Sequence, residues 1–445
     1  MKVLETNKIY QGHALDVLKT FPDESIDCVM TSPPYWSLRD YGEDTSAIWD
    51  GDSKCEHEFE TELHKTNLQA GNPEFKRPWR EEASGESKIG FCLKCGAWKG
   101  QLGLEPNFND YIRHLCDIFD EVKRVLRKDG TCWVNLGDTY SSLGKVGGDF
   151  GQDGKITKGY SGRGRIEKDT YPEKSLVMIP FRFAIEMVNR GWILRNTLIW
   201  HKPNCLPSSA KDRFTVDFEY LFFFTKNKKY WFETQYEPLH TPYEQLIKDN
   251  RGLDNEKYKE YSVSNRHGGN KTIGETMNPL GRNKRTVWSI CPRPFKEAHF
   301  AVFPEKLCET PIKAGCPEFI CKKCGKPREK ILVDVGEKTW TDTRGEGSKD
   351  SFSVGTRGLA FGRTAQIENR GYTDCGCNAG FEGGVVLDPF IGSGTVGLVA
   401  LKQNKKFVGI ELKPAYIEMA MKRLKPWLEQ TRLGEFSDPQ EERYI

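Results

Sequence analysis

The chain has 445 residues, 29% of them charged, with 66 Lys and Arg against 63 Asp and Glu and a formal net charge of +3. That length can bury a large core, with room for one catalytic domain plus inserted modules. The near balance of charge excludes a partner held by an overall basic field, so nucleic acid would be met through local basic clusters.

The opening residues from Met1 lack the apolar core of a secretory signal. No run approaches the roughly 20 apolar residues of a membrane span. The expectation is a soluble cytoplasmic protein, prokaryotic or phage-encoded, with no membrane partner and with reduced cysteines.

In chain order, Lys8 to Gly12 reads as a strand, Ala14 to Phe21 as a helix and Ile26 to Met30 as a buried strand. The strand runs into Thr31-Ser32-Pro33-Pro34-Tyr35-Trp36. Two successive prolines cannot continue a central strand or a helix interior. The chain must therefore leave the sheet in a rigid turn at its carboxyl edge, where open α/β sheets bind ligands.

Residues 37–107 interrupt the domain as an inserted lobe. Phe108 to Arg127 carries Ile112, Leu115, Ile118, Phe119, Val122 and Leu126 at helical spacing, and Thr131 to Leu136 is the next strand. Residues 141–175 are glycine-rich and polar, the composition of a loop ordered only on a partner. Leu176 to Asn189 is a helix and Trp192 to Trp200 a strand; Phe218 to Lys226 and Lys229 to Phe232 suggest a hairpin. Residues 236–285 are polar and basic, residues 316–379 form a second insertion, and 428–445 are a polar tail.

Fourteen cysteines in a reducing compartment need an account other than disulfides. Cys55 and His57 with Cys92 and Cys95 form one group of four ligands, and Cys321 and Cys324 with Cys375 and Cys377 a second. Each Cys-x-x-Cys is followed by glycine. This predicts two structural Zn2+ sites, closed and tetrahedral, against unliganded thiols or a redox pair. In the first group His64 or Cys116 could replace His57. Cys28 and Cys132 read as core thiols.

Near the C-terminus, Val385 to Asp388 is a strand, followed by Pro389-Phe390-Ile391-Gly392-Ser393-Gly394, a helix from Thr395 to Gln403 and a strand Phe407 to Ile410 ending at Glu411. Gly392, Gly394 and Gly397 satisfy G-x-G-x-x-G, which alone would suggest a dinucleotide. Asp388 argues otherwise: a carboxylate at the strand tip would repel a pyrophosphate on the helix N-terminus. It suits a cationic, phosphate-free cofactor such as S-adenosylmethionine. The acidic end of the second strand suits ribose hydroxyls.

Taken together, the Thr31–Tyr35 turn and the Asp388–Thr395 turn resemble the DNA amino-methyltransferases, the N4-cytosine and N6-adenine family, with the first turn in its N4-cytosine form. The order, catalytic motif first and cofactor motif last, is similar to the permuted β-class. Further blocks carrying the resemblance are Asn135-Leu136-Gly137-Asp138, Trp200-His201-Lys202-Pro203-Asn204, Asp212-Arg213-Phe214-Thr215, Glu219-Tyr220 and His299 to Pro304. The implied fold is α/β: a Rossmann-like, S-adenosylmethionine-dependent methyltransferase, circularly permuted, with a mostly parallel sheet and inserted zinc-binding and target-recognition segments. Residues 1–36 and 108–235 would be its catalytic half, 299–315 and 380–427 its cofactor-binding half, and 201–298 its target-recognition region.

The resemblance implies methyl transfer to the exocyclic amine of a flipped-out base, cytosine N4 first and adenine N6 as the alternative. Ser32, Pro33, Pro34 and Tyr35 would be catalytic. The Ser32 hydroxyl and the Pro33 carbonyl would hold the amine hydrogens, Tyr35 would stack on the base and Trp36 would wall the pocket. Asp388 would face the cofactor ammonium, the turn through Gly392, Gly394 and Thr395 would let the ligand lie against the backbone, Glu411 would take the ribose, and Phe390 and Phe303 would line the pocket. One departure concerns Gly12, which is followed by His13 rather than an acidic residue, leaving Asp16 as the nearest substitute.

Double-stranded DNA is the implied partner, and a cognate restriction endonuclease a second. Arg163, Arg165, Arg266, Lys271, Arg282, Lys284 and Arg285 are candidate DNA contacts. The rival classes are a nicotinamide enzyme, a methyltransferase of RNA or protein glutamine, and a zinc-bearing nucleic-acid-binding protein with an inactive core. The oligomeric state is not encoded in any of these motifs.

Overall fold

The computed structural model describes residues 4–38, 41, 45–59, 90–141, 171–238, 281–292, 303–334, 338–341, 360–363 and 367–433. The chain divides into two compact units, one of Met1–Phe232, Thr286–Glu318 and Gly383–Ile445, the other of Glu233–Arg285 and Phe319–Glu382.

The first unit is built on an eight-stranded sheet: β1 (Lys8–Gln11), β2 (Ile26–Thr31), β3 (Leu126–Leu136), β4 (Ile193–His201), β5 (Phe218–Thr225), β6 (Val287–Ser289), β7 (Val385–Asp388) and β8 (Lys406–Glu411), in spatial order β1-β8-β7-β2-β3-β5-β4-β6. Every pairing is parallel except those of β5, which runs antiparallel to both β3 and β4. All six residues of β2 are buried, as expected of a central strand covered on both faces.

Helices cover both faces. α1 (Ala14–Lys19), α2 (Phe108–Val125) and α3 (Ile179–Asn189) contribute to one apolar cluster; α4 (Glu305–Gly315), α5 (Thr395–Lys402) and α6 (Pro414–Leu433) contribute to the other. α2 starts at Asn107, whose side chain accepts from the Asn109 amide at 2.7 Å. It buries Tyr111, Leu115, Ile118, Phe119 and Val122, the helical stripe that the sequence shows.

From β7 the chain crosses by α5 to β8. From β2 it reaches β3 by way of α2, on the opposite face and in the opposite direction. The carboxyl ends of β7 and β2 therefore flank a topological switch point, where open sheets leave a crevice.

The expected hairpin at 218–232 is corrected. β5 has both edges occupied, by β3 and β4, so no edge remains for a strand at 229–232. That segment instead folds over the sheet: Trp231 donates to the Asp129 carbonyl at 2.9 Å, and Tyr230 and Phe232 pack against Phe223.

The described part of 37–107 packs into this unit. Ala47–Trp49, Gly90–Phe91 and Trp98–Gly100 form a three-stranded antiparallel sheet. Trp49 stacks on His114 of α2 at 4.4 Å. The two nitrogens of that buried imidazole meet Glu105 at 3.1 Å and Asp50 at 3.0 Å.

The second unit contains four short antiparallel pairings: 236–237 with 282–283, 320–321 with 381–382, 330–334 with 367–372, and 338–341 with 360–363. Phe319 meets Tyr372 edge-on at 4.9 Å, and the Arg328 guanidinium covers the rings of Tyr372 and Phe381.

Candidate active site

Two cavities open at the carboxyl ends of β7 and β2. The first, about 130 Å³, is walled by the β7 turn (Pro389 to Ser393, and Thr395), by Gly12, His13 and Ala14 after β1, by Glu411 after β8, and by Phe303. The second, about 270 Å³, is walled by Ser32, Pro33 and Tyr35, by Asn135, Trp200, Lys202 and Glu219, and again by Phe303. Ser32, Tyr41 and Phe303 belong to both. The proline turn after β2 is thus the partition between two adjoining spaces.

Asp388 does not line the first cavity. It lies behind the wall, 1% exposed, where Oδ1 accepts from Thr31 Oγ1 at 2.6 Å and from the Phe390 amide at 3.0 Å. Burial, reinforced by the Glu411 charge, pushes its pKa up from 3.8 to about 7, against those two hydrogen bonds. Glu411 is also raised by burial, although it accepts from the Gly392 and Lys413 amides at 3.1 and 2.9 Å. Two carboxyl groups held above their usual range beside one cavity fit a cationic ligand, whose charge would relieve both.

Phe390, Gly392, Thr395, Glu411 and Phe303 all line that cavity. Gly394 does not: its φ is +80°, and a Cβ there would lie 3.1 Å from Ala420 of α6, so glycine serves the helix packing. Asp16 is corrected as the substitute acid, since its side chain is 75% exposed and outside the cavity, where His13 takes the wall instead.

The inserted lobe supplies the remaining wall through Thr45, Gln101 and Leu102. Gln101 Oε1 accepts from Thr45 Oγ1 and from the Tyr41 amide, both at 2.9 Å. The lobe is therefore part of the first cavity, a connection its sequence does not reveal.

In the second cavity the polar groups form a directed chain. Ser32 Oγ donates to Tyr35 Oη at 3.3 Å, and Tyr35 Oη donates to Glu219 Oε2 at 2.7 Å; Glu219 in turn pairs with Lys202. Asn135 presents Oδ1 to Tyr35 at 3.0 Å and to Ser32 at 3.4 Å, fixed by its Nδ2 donating to the Tyr220 carbonyl at 3.0 Å. Burial and the Glu219 charge keep the Tyr35 phenol well above its usual pKa, so it is a neutral donor. Its ring lies against Gly137, where a Cβ would sit 2.8 Å from the ring.

Pro34 lines the first cavity, and its carbonyl accepts from Tyr111 Oη at 2.8 Å. Trp36 is corrected as a pocket wall: it is buried in the core, donating to the Glu105 carbonyl and packing edge-on against Phe108. Asn135, Lys202 and Glu219 stand in blocks that the resemblance marked, but only the sheet order shows that β3, β4 and β5 bring them to one wall.

Both cysteine groups converge. The ligand atoms of Cys55, His57, Cys92 and Cys95 all lie within 4.8 Å of one another, as do those of Cys321, Cys324, Cys375 and Cys377. Bonds of about 2.3 Å to a tetrahedral ion would separate sulfurs by about 3.8 Å, close to the 4.0 Å between Cys55 and Cys92 and far from a disulfide. In both, the turn is the same: Gly96 and Gly325 have φ near +70°, and their amides donate to the carbonyls of Cys92 and Cys321 at 2.9 Å. Backbone amides of Cys324 and Lys323 lower the Cys321 thiol to about 6, favouring the thiolate. Cys116 is buried in the α2 core, which removes it as a ligand; His64 lies outside the described residues.

Of the basic candidates, Arg282 and Arg285 pair with Glu237 at 2.7 and 2.6 Å within the second unit, so neither is an uncommitted contact. Arg163, Arg165, Arg266 and Lys271 lie outside the described residues. Among those described, no helix is long and apolar enough to cross a membrane.

The fold is an open α/β sheet with two adjoining cavities at the carboxyl ends of its parallel strands, the place where such sheets bind ligands. The chain belongs to the DNA methylase family of N6 and N4 methyltransferases, whose model matches residues 26–334 and 378–422. It is a DNA amino-methyltransferase that depends on S-adenosylmethionine. It is similar to the type II methyltransferase M.Cfr9I of Citrobacter freundii, 29% identical over 94% of this chain and 87% of that protein. It is also similar to the type II methyltransferase M.SmaI of Serratia marcescens, 28% identical over 95% of this chain and 91% of that protein. Among solved structures, the PvuII DNA methyltransferase (cytosine-N4-specific) aligns over 97% of this chain and 95% of its own with 15% identity and a TM-score of 0.43.

Proposed function

We propose that the enzyme methylates cytosine N4 in double-stranded DNA, in the permuted arrangement of the family, with the first cavity holding S-adenosylmethionine and the second holding the flipped base. The observation that carries this reading is the meeting of the two cavities at Ser32.

S-adenosylmethionine supplies an electrophilic methyl group. The task left to the chain is to free the amine lone pair from the ring and aim it across the partition. The polarity of the hydrogen-bond chain suits this. Because Ser32 donates toward Tyr35, and Tyr35 toward Glu219, the Ser32 oxygen keeps lone pairs for one amine hydrogen. The Pro33 carbonyl is the acceptor for the other, in a turn held by two locked φ angles. Catalysis then comes from positioning and from oriented dipoles.

The same chain gives the proton an exit. Once the C–N bond forms, the amine nitrogen carries a positive charge and sheds a proton to Ser32 Oγ. The Ser32 proton passes to Tyr35 Oη and the Tyr35 proton to the Glu219 carboxylate.

Serine at position 32 favours cytosine by family resemblance. Lys202 adds a physical reason. Its ammonium lines the same cavity as Ser32 and has two N–H donors beyond the one given to Glu219, and cytosine places two acceptors, N3 and O2, in succession beside the amine. Adenine offers one acceptor followed by a C–H.

The two cysteine groups are proposed to hold structural Zn2+, the donor sets and spacing being those of closed sites. Residues 201–298 are proposed to take part in target recognition. Similarity to type II methyltransferases supports a restriction-modification role beside a cognate endonuclease.

The test is nucleoside mass spectrometry of host DNA from cells expressing the enzyme or Ser32→Ala. N4-methylcytosine should accumulate with the wild type and not with the variant; accumulation with both would end Ser32's assigned role.

A further inference from the structure

The loop between β4 and β5 leaves the second cavity at Lys202 and returns to it at Glu219, both wall residues. It is stapled along its length. The Lys202 amide donates to the Asp217 carbonyl at 2.7 Å, the Cys205 amide to the Lys202 carbonyl at 3.1 Å, and the Ser208 amide to Thr215 Oγ1 at 3.3 Å. Asn204 reaches the carbonyl of Pro292, another wall residue, at 3.3 Å. Lys174 pairs with Asp212 at 2.9 Å, and the Arg213 guanidinium lies 3.5 Å over the Tyr140 ring.

On this braced loop Phe214 is 96% exposed and Leu206 85% exposed. Single exposed apolar side chains are ordinary. This one differs in place and support. It is a full aromatic ring, next to an arginine held by stacking, on a loop anchored at both ends in the cavity proposed for the base. Arg213 precedes it and Lys211 lies three positions earlier, while the Asp212 charge between them is paired with Lys174, so the loop presents positive charge, which fits a phosphate backbone and not an apolar protein face. Extruding a base leaves a gap in the stack, and enzymes that open the stack commonly insert an apolar side chain there.

We propose that Phe214 is the wedge that enters the base stack when the target base rotates into the second cavity, with Leu206 supporting it from the same rim and Lys211 and Arg213 on the adjacent phosphates. The inference rests on the assignment of the second cavity to the base.

The test uses the full-length enzyme and short duplexes around a site mapped by modification-sensitive sequencing of DNA from the expressing host. Each duplex carries the target base either correctly paired or opposite an abasic site, where little pairing and stacking need be broken. On the paired duplex Phe214→Ala should lower kcat/KM roughly 10- to 100-fold, the scale of a lost base–aromatic stack. On the abasic duplex it should match wild type. Phe214→Trp should keep activity on both, and the affinity of Phe214→Ala for S-adenosylmethionine should be unchanged, showing an intact fold. Wild-type activity of Phe214→Ala on the paired duplex would overturn the wedge, as would an equal deficit on both duplexes. Ser32→Ala separates the two levels: if it is inactive while Phe214→Ala is fully active, only the wedge fails; if Ser32→Ala is active, the cavity assignment itself fails.

Discussion

Replacing Asp388 by Asn isolates the electrostatics of the cavity proposed for the cofactor. The amide keeps an oxygen for Thr31 and for the Phe390 amide, so only the ionisation is lost. In the free enzyme the Asp388 carboxyl titrates at about 7 because it is buried beside Glu411. Below that pH it is protonated, and a cationic ligand must displace the proton on binding. Affinity for S-adenosylmethionine should therefore rise with pH and level off above neutrality, by about 25-fold between roughly pH 5.5 and 7.5 for one such proton. Calorimetric titration in buffers of different ionisation enthalpy should report about 0.9 proton released near pH 6. Asp388→Asn should bind with a flat profile, and Glu411→Gln controls for the second carboxyl. Stability is linked to the same group with a defined sign. Its folded pKa lies above the unfolded value of 3.8, so ionisation opposes folding and stability falls as pH rises through that interval, by a ceiling of about 4 kcal/mol. Asp388→Asn should accordingly gain thermal stability over wild type at pH 8 and gain none at pH 4. A wild-type affinity that does not change between pH 5.5 and 7.5, with no proton released, would refute the reasoning.

Ser32→Ala should lower kcat about 100- to 1000-fold, as loss of one oriented catalytic hydrogen bond does, while S-adenosylmethionine binding measured by calorimetry stays at the wild-type value. Tyr35→Phe should cost about tenfold in kcat with little change in KM for DNA, because the ring still fills its place against Gly137 while the bridge from Ser32 to Glu219 and the contact to Asn135 are lost. Gly137→Ala should destabilise the fold by about 1–3 kcal/mol in denaturant titration, since its methyl would meet the Tyr35 ring at 2.8 Å. Native mass spectrometry should find two zinc ions per chain. Cys95→Ser should lose one of them together with S-adenosylmethionine affinity, because Gln101 and Thr45 of that lobe wall the cavity proposed for the cofactor.

Much of this site is local in sequence, and that part could be read directly. The proline turn, the Asp388–Thr395 turn and the Cys-x-x-Cys-Gly knuckles are short segments whose backbone restrictions are written in Pro and Gly. The structure places nearly every residue so identified at one of the two cavities or in a convergent ligand group. What could not be read were pairings between distant segments. Glu219 and Lys202 reach the wall of the second cavity because β5 runs antiparallel between β3 and β4, and nothing within either segment encodes that order. The same holds for Lys229 to Phe232, whose alternation suits a strand but whose intended neighbour had no free edge. It holds again for Asp16, one helical turn from the cavity yet pointed to solvent, and for Gly394, a glycine required by α6 rather than by a ligand. Arg282 and Arg285 lay in a basic run, and only their common neighbour Glu237 shows their charge to be committed.

The most direct measurement of the central claim is the identity of the base that receives the methyl group. Purified enzyme would be incubated with S-adenosylmethionine labelled in its methyl group and unmethylated duplex DNA, and the digested nucleosides separated. The account predicts label in N4-methyldeoxycytidine. Label in N6-methyldeoxyadenosine would contradict the roles given to Ser32 and Lys202 in choosing the base.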